Sequence, residues 1–296
     1  MTAETISKLE SGDWSVEVDA ARGGLIRACR WRGRDVLVPA KAGVWPEGAD
    51  AGCFPLVPFS NRIRGAEFSF LGQRIRLPAP AFAAPQALHG LGWRCVWQIH
   101  PSSANEIVML HANPGGAWPW PYEARQTLSV AGDRLSLTLS VKNTGALTMP
   151  AGIGFHPYFP RSKDLQVSAS ADGYWQTAAA DPGIPTGWSP IAPETDVFKD
   201  KDTAGADLDN CFTGWNRQAR LAYTKARYRI DLGASAAFSN LVVYCPPGRD
   251  FLCLEPVSHV NDAVSLSGIG AAQQMDHLEP GETLEGTLRL DVAQTD

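Results

Sequence analysis

No apolar run in this 296-residue chain approaches the roughly 20 residues that a membrane-spanning helix needs; the longest pieces, such as LVVYC at 241–245, have the length of strands. The N-terminus, MTAETISKLESGDWSVEV, has no basic start, apolar centre or small-residue cleavage site, so a secretory signal is not expected and the expected location is the cytoplasm. Dense Lys/Arg patches are also missing, and the net charge is only −5, which argues against nucleic acid or an anionic membrane surface as a partner. Of the six cysteines, Cys29, Cys53, Cys95, Cys211, Cys245 and Cys253, none forms a Cys-x-x-Cys pair. They read as scattered reduced thiols, with Cys253 a buried hydrophobe inside an apolar strand and no metal site. A long amphipathic helix is equally absent, because 28 glycines and 22 prolines are spread along the whole chain, leaving room for short helical turns only.

The pattern that remains has a period of two. Trp14, Val16 and Val18 alternate with polar residues, as do Leu135, Leu137, Leu139 and Val141, then Tyr228, Ile230 and Leu232, then Leu288, Leu290 and Val292. Leu71-Gly72-Gln73 and Ala131-Gly132-Asp133 supply turns at hairpin spacing, so the strands should pair antiparallel. Two Pro/Gly-rich stretches, 112–121 and 181–190, read as long surface loops between strands and carry no compositional shift of the kind that marks a domain boundary. The expectation is an all-β protein, one β-sandwich domain of two packed sheets over residues 1–296.

Three segments carry candidate chemistry. In PAGIGFHPYFP at 150–160, an extended chain puts Ile153, Phe155 and Phe159 on one face and Gly152, Gly154 and His156 on the other. Glycines around His156 are consistent with a ligand approaching the backbone there, and Pro157 is expected to end ladder pairing. A structural histidine at a strand end fits the same pattern. In FLCLEPVSHVNDA at 251–263, alternation aligns Phe251, Cys253 and Glu255, which sets a carboxyl among apolar neighbours. Such a group needs hydrogen bonds or a raised pKa, unless it simply ends an edge strand in solvent. The third segment runs from FPLVPFSNRIRGAEFSF at 54–70 to ALHGLGW at 87–93, where Arg62 and His89 bracket a hairpin and Gly90 and Gly92 free the His89 loop to approach a ligand. Taken singly, an Arg or a His of this kind is ordinary scaffold.

In their order along the chain, Asn61-Arg62-Ile63, His89-Gly90, His156-Pro157-Tyr158-Phe159, Glu255-Pro256 and Asp262-Ala263 resemble the aldose 1-epimerase (galactose mutarotase) family over roughly residues 10–292. The resemblance implies a galactose-mutarotase-like β-supersandwich of mostly antiparallel strands with few short helices. It implies His156 as general acid, Glu255 as general base, and Arg62 and His89 as ligands of sugar hydroxyls. Asp209, in LDNCFTGW at 208–215, matches the family's substrate-binding Asp more loosely. It also implies a monosaccharide as partner, no cofactor and no metal, and a monomer or homodimer. The chain departs from galactose-specific members in His-Gly-Leu-Gly-Trp at 89–93, in Pro160-Arg161 after the His156 run, and in Asn261, which bears on the identity of the sugar more than on the chemistry.

Anomer exchange requires a proton to leave the C1 hydroxyl while another reaches the ring oxygen, so two groups of complementary protonation state must flank one C–O bond. A carboxylate at Glu255 and a protonated His156 meet that need without a nucleophile or a metal. Trp93, Trp118, Trp120 and Trp188 are candidates to offer a ring face to the sugar, although core or loop packing accounts for most tryptophans. Alternatives remain. A hexose-phosphate epimerase would use converging cations such as Arg64, Arg74 and Arg76, a non-catalytic sugar-binding module would need neither proton donor nor acceptor, and a glycosidase or lyase would want a second carboxylate.

Overall fold

The computed structural model describes residues 6–41, 52–100, 103–191 and 206–296, together with the backbone of 201–202; the first five residues of the N-terminal reading lie outside these. Among them the chain forms an eleven-stranded and a nine-stranded antiparallel sheet, with three two-stranded ribbons at the periphery. Among the described residues, four short 3-10 turns occur: Arg64–Ala66, Gly92–Arg94, Ala263–Ser265 and Ala271–Gln273. No helix among the described residues is long and apolar enough to cross a membrane.

Alternation places side chains as expected. Val16, Val18, Leu135, Leu137, Leu139, Val141, Ile230 and Leu290 are fully buried, and they belong to one apolar cluster that runs through both sheets. The hairpins close at Leu71-Gly72 and at Gly132-Asp133. In the eleven-stranded sheet the middle is built by Cys53–Leu56, Gly154–Pro160, Phe251–Val257, Asn240–Cys245 and Leu208–Thr213, side by side in that order.

Three expectations need correction. Residues 181–190 are a strand, Asp181–Pro190, and lie at the end of the eleven-stranded sheet. An edge strand tolerates Pro182, Pro185 and Pro190 because one side of its backbone needs no ladder partner, and the register shifts near Gln176 and Thr177 absorb the irregularity. Residues 112–121 are largely the expected loop, entered from the strand Glu106–Asn113, but Trp118 is fully buried and Trp120 nearly so; Asn113 Nδ2 donates to both of their carbonyls.

Pro157 also does not end its strand, which continues to Pro160. Its ladder to Phe251–Val257 instead skips from Gly154↔Val257 to Tyr158↔Cys253, while pairing with Cys53–Leu56 continues on the other side. The skipped interval contains Pro157 and, on the facing strand, Pro256, neither of which has an N–H to donate. The sheet is thus locally opened at its centre without a break in the strand.

Phe155, fully buried on the core side of this strand, packs edge-to-face on Phe238 at a centroid distance of 6.0 Å. Phe155→Ala should cost about 3–5 kcal/mol of stability, read as a lower denaturant midpoint; a loss under about 1 kcal/mol would contradict tight packing of this layer.

Candidate active site

The opened interval is where His156 and Glu255 meet. Between the pairs Gly154↔Val257 and Tyr158↔Cys253 the same register sets residue 156 opposite residue 255, and directly opposed side chains on one face of an antiparallel pair are near neighbours. His156 Nε2 lies 3.4 Å from Glu255 Oε1, with both side chains almost wholly buried. Tyr158 stacks on the imidazole at 4.7 Å with only 6° between planes, and Phe54 covers it from the next strand at 4.7 Å. Despite this burial, Nδ1 of His156 and Oε2 of Glu255 have no hydrogen-bond partner.

A short ribbon and one further strand bring up the remaining candidates. The ribbon Arg62–Ile63 pairs with Ala87–Leu88, and the His89 N–H donates to the Asn61 carbonyl at 2.8 Å, so Arg62 and His89 enter the same space. The His89 ring lies 5.0 Å from that of His156. Asp209, on Leu208–Thr213, faces Arg62 with its Oδ2 3.7 Å from Nη1. A cleft of about 600 Å³ is lined by all five candidates: Arg62, His89, His156, Asp209 and Glu255.

What holds these loops is the segment 258–262. Asp262, only 1% exposed, donates its N–H to the Arg62 carbonyl at 2.8 Å and accepts the Arg64 N–H on Oδ1 at 2.9 Å. His259 accepts the Ser60 N–H on Nε2 at 3.0 Å and contacts the Val260 carbonyl through Nδ1 at 2.8 Å, a structural role. Asn61, His89 and Asp262 all sit in the left-handed region, at φ of 51°, 59° and 53°. Asn, His and Asp are among the non-glycine residues that enter it most readily, and such conformations persist only where the surroundings hold them.

The glycines near the candidates serve the protein's own packing, contrary to the expectation that they make room for a ligand. A Cβ on Gly152 would stand 2.1 Å from the His259 ring, and one on Gly154 would crowd Val257. A Cβ on Gly90 would meet the Val57 carbonyl at 2.2 Å, and one on Gly92 the Val57 side chain. Gly183 alone bears on a candidate: a side chain there would strike the Arg62 guanidinium.

Burial shifts the ionisation of the pair. It pushes Glu255 well above the usual carboxyl range, with Asp209 adding to the rise and Arg62 opposing it. The same burial holds His156 down to about 3, Arg62 lowering it further, and drives His89 well below its ordinary value. Asp209 is raised, chiefly by burial. Burial thus works against both charged forms expected from the sequence, the carboxylate at Glu255 and the imidazolium at His156.

None of the four candidate tryptophans lines the cleft. Trp93, Trp118 and Trp120 are core, Trp93 stacking on Phe54 at 5.5 Å, and Trp188 is half-exposed with its Nε1 donating to Thr213. The apolar faces come from Phe82, Tyr158, Tyr244 and Phe251. Tyr158 was readable two residues beyond His156 and Phe251 on the face of Glu255; Tyr244 enters through the pairing Asp209↔Tyr244, which alternation along one strand does not reveal. Arg249, which leans over Phe251 at 5.1 Å, was also missed. Arg64, Arg74 and Arg76 lie outside the cleft and pair with Asp262 or Glu67. Among the described residues, one donor group of metal-ligating type includes the pair itself: His156, Cys253 and Glu255 have ligand atoms within 4.8 Å of one another.

The family model described as aldose 1-epimerase matches residues 10–291. The uncharacterized protein YphB of Escherichia coli K12 is 32% identical over 303 residues, covering 97% of this chain and 99% of that one. A crystal structure from Escherichia coli K12, provisionally assigned as an aldose 1-epimerase, superposes with a TM-score of 0.87 at 31% identity, covering 98% and 99% of the two chains. A galactose mutarotase-like protein from Clostridium acetobutylicum, at 16% identity, shares the fold with a TM-score of 0.85 over 97% of this chain and 95% of its own.

Keeping His156 neutral down to about 3, and His259 down to about 4, affects stability. Both imidazoles start from an ordinary value of 6.5, so below it the unfolded chain binds protons that the folded chain refuses. Their contribution is intact above pH 6.5 and is lost as pH falls toward those depressed values. Glu255 and Asp209, raised by burial, act in the opposite sense, so the test is the difference between proteins: from about pH 7 to pH 4 the urea midpoint of His156→Asn should gain on that of the wild type; a constant difference would contradict a neutral buried imidazole.

Proposed function

The chain belongs to the aldose 1-epimerase family, and from that premise we propose that it is an isomerase that interconverts the α and β anomers of a free aldose by opening and reclosing the sugar ring. The observation that carries this reading is the buried His156–Glu255 pair at the floor of an open cleft, 3.4 Å apart, each member with an unsatisfied polar atom. Buried polar atoms without partners are costly. A sugar hemiacetal, with one O–H donor and one ring-oxygen acceptor on the same carbon, supplies both missing partners at once.

In the reaction, Glu255 as carboxylate takes the proton of the C1 hydroxyl and His156 as imidazolium delivers one to the ring oxygen. The C1–O5 bond breaks and the hydroxyl becomes the carbonyl of an open-chain aldehyde. Rotation about C1–C2 presents the other face, and the two transfers run backward to close the opposite anomer. Where burial keeps a proton on Glu255, the charged arrangement forms by its transfer to His156. Sugar binding favours that shift, because a hydroxyl donating to the carboxyl and a ring oxygen accepting from the imidazole each stabilise the charged form. Arg62 favours the carboxylate but opposes the imidazolium.

Arg62, His89 and Asp209 then hold ring hydroxyls, and Tyr158, Tyr244, Phe82 and Phe251 offer apolar faces to the C–H side of the ring. A phosphorylated sugar finds less support, since the cations expected for it are spent on carboxylates elsewhere. The substrate we propose is a neutral monosaccharide met in the cytoplasm.

Polarimetry or saturation-transfer NMR on freshly dissolved aldoses should show anomer exchange faster than in buffer; no acceleration for any sugar in a broad panel would remove the enzyme reading. Glu255→Gln and His156→Asn should each lower kcat by about 10²- to 10⁴-fold while the fold is retained. Arg62→Ala should act mainly on KM, and a loss confined to kcat would assign Arg62 a part in the chemistry.

A further inference from the structure

Cys253 is fully buried, and the sequence offers no reason to treat it as more than a small hydrophobe. Its position says more. It lies two residues from Glu255 on the same strand and face, and directly across from Tyr158, so its sulfur is diagonal to His156 on the neighbouring strand. The imidazole nitrogen, the thiol sulfur and a carboxyl oxygen all lie within 4.8 Å of one another. His156 and Glu255 bring polar atoms that are at least nine-tenths buried and unpartnered within the protein. The cleft opens onto His156 and Glu255, which leaves a coordination position for water or a sugar hydroxyl.

We propose that His156, Cys253 and Glu255 form a three-donor site for a thiophilic divalent cation, zinc or cadmium in class, and that its occupation blocks the sugar reaction. The donor set is one imidazole, one thiolate and one carboxylate, the mixture that borderline and soft cations select over magnesium or calcium. Two anionic donors and one neutral donor around a divalent cation sum to zero charge. A neutral assembly is what a site walled by Phe54, Tyr158 and Phe251 accepts most readily, since burying net charge is expensive. Ligand atoms up to 4.8 Å apart lie wider than tetrahedral coordination requires, so closure needs rotamer adjustment of well under an ångström per group at zinc-ligand distances of about 2.0–2.3 Å. The metal would tie up the two groups to which anomerisation is assigned above, so inhibition rests on that reading, whereas binding does not.

Cobalt(II) serves as the probe for the first arm, because cobalt–thiolate bonding gives a near-ultraviolet charge-transfer band. Titration of the intact protein under reducing conditions should raise that band at one equivalent, and Cys253→Ala should abolish it. Cys253→Ser, which keeps the volume, guards against a loss caused by misfolding and should also lack the band. Calorimetry with cadmium should give a Kd weakened in both variants by more than the roughly 10- to 100-fold that loss of an outer-shell partner costs. No band in the wild-type protein, or a band of unchanged affinity in both variants, would overturn the site. In the second arm, zinc should suppress anomer exchange competitively with sugar, and Cys253→Ser should lose that sensitivity whatever its metal-free rate. Inhibition equal in wild type and variant would overturn the assignment to these donors. A protein that binds cobalt through Cys253 but moves no anomer would instead count against the isomerase reading alone.

Discussion

The structure depends on one placement: an imidazole and a carboxyl set directly opposite each other on two adjacent strands, near the middle of a sheet and almost out of contact with water. In such surroundings a charge is expensive unless paired and hydrogen-bonded, so burial works against both charged forms. Everything around it maintains that condition while leaving one side open. Phe54 and Tyr158 cover the imidazole, the prolines at 157 and 256 interrupt the ladder between the two strands, and the cleft admits a polar ligand from above. On the function proposed above, a hemiacetal in the cleft would offset that cost.

Arg62 and His89 come from a short ribbon that has no core of its own, so their positions are borrowed. The segment 258–262, which continues directly from the strand carrying Glu255, supplies the restraint through Asp262 on the backbone of Arg62 and Arg64 and through His259 on Ser60. One run of chain therefore carries both the carboxyl and the clamps for the loop that faces it. Three left-handed non-glycine residues in these loops show where the backbone has been forced to meet that geometry.

Much of this was readable from residues alone. Strict alternation announced the sheets, and it also put His156 away from Phe155 and put Phe251, Cys253 and Glu255 on one face. What alternation along a strand cannot supply is register between strands distant in sequence. Tyr244 opposite Asp209, the skipped ladder at Pro157, and the diagonal from Cys253 to His156 all follow from pairing, and pairing is set by the whole sandwich. The residues 181–190 were misread for a related reason: proline argues against a strand only when both its neighbours must be hydrogen-bonded, and an edge removes half of that demand. The glycines were misread because a missing side chain looks the same in sequence whether the space is given to a ligand, to His259 or to the Val57 backbone.

Protonation is the point at which sequence and structure pull apart most usefully. Chemistry at a hemiacetal asks for one donor and one acceptor, and a histidine with a glutamate satisfies that on paper in their common charged states. Burial works against both of those states, raising the carboxyl and lowering the imidazole. In the reaction proposed above, a pair holding a single proton serves ring opening and ring closing alike, because the two are mirror steps. The same shifts show how so buried a couple is tolerated in the centre of the sheet: each relieves the cost of holding a full charge there.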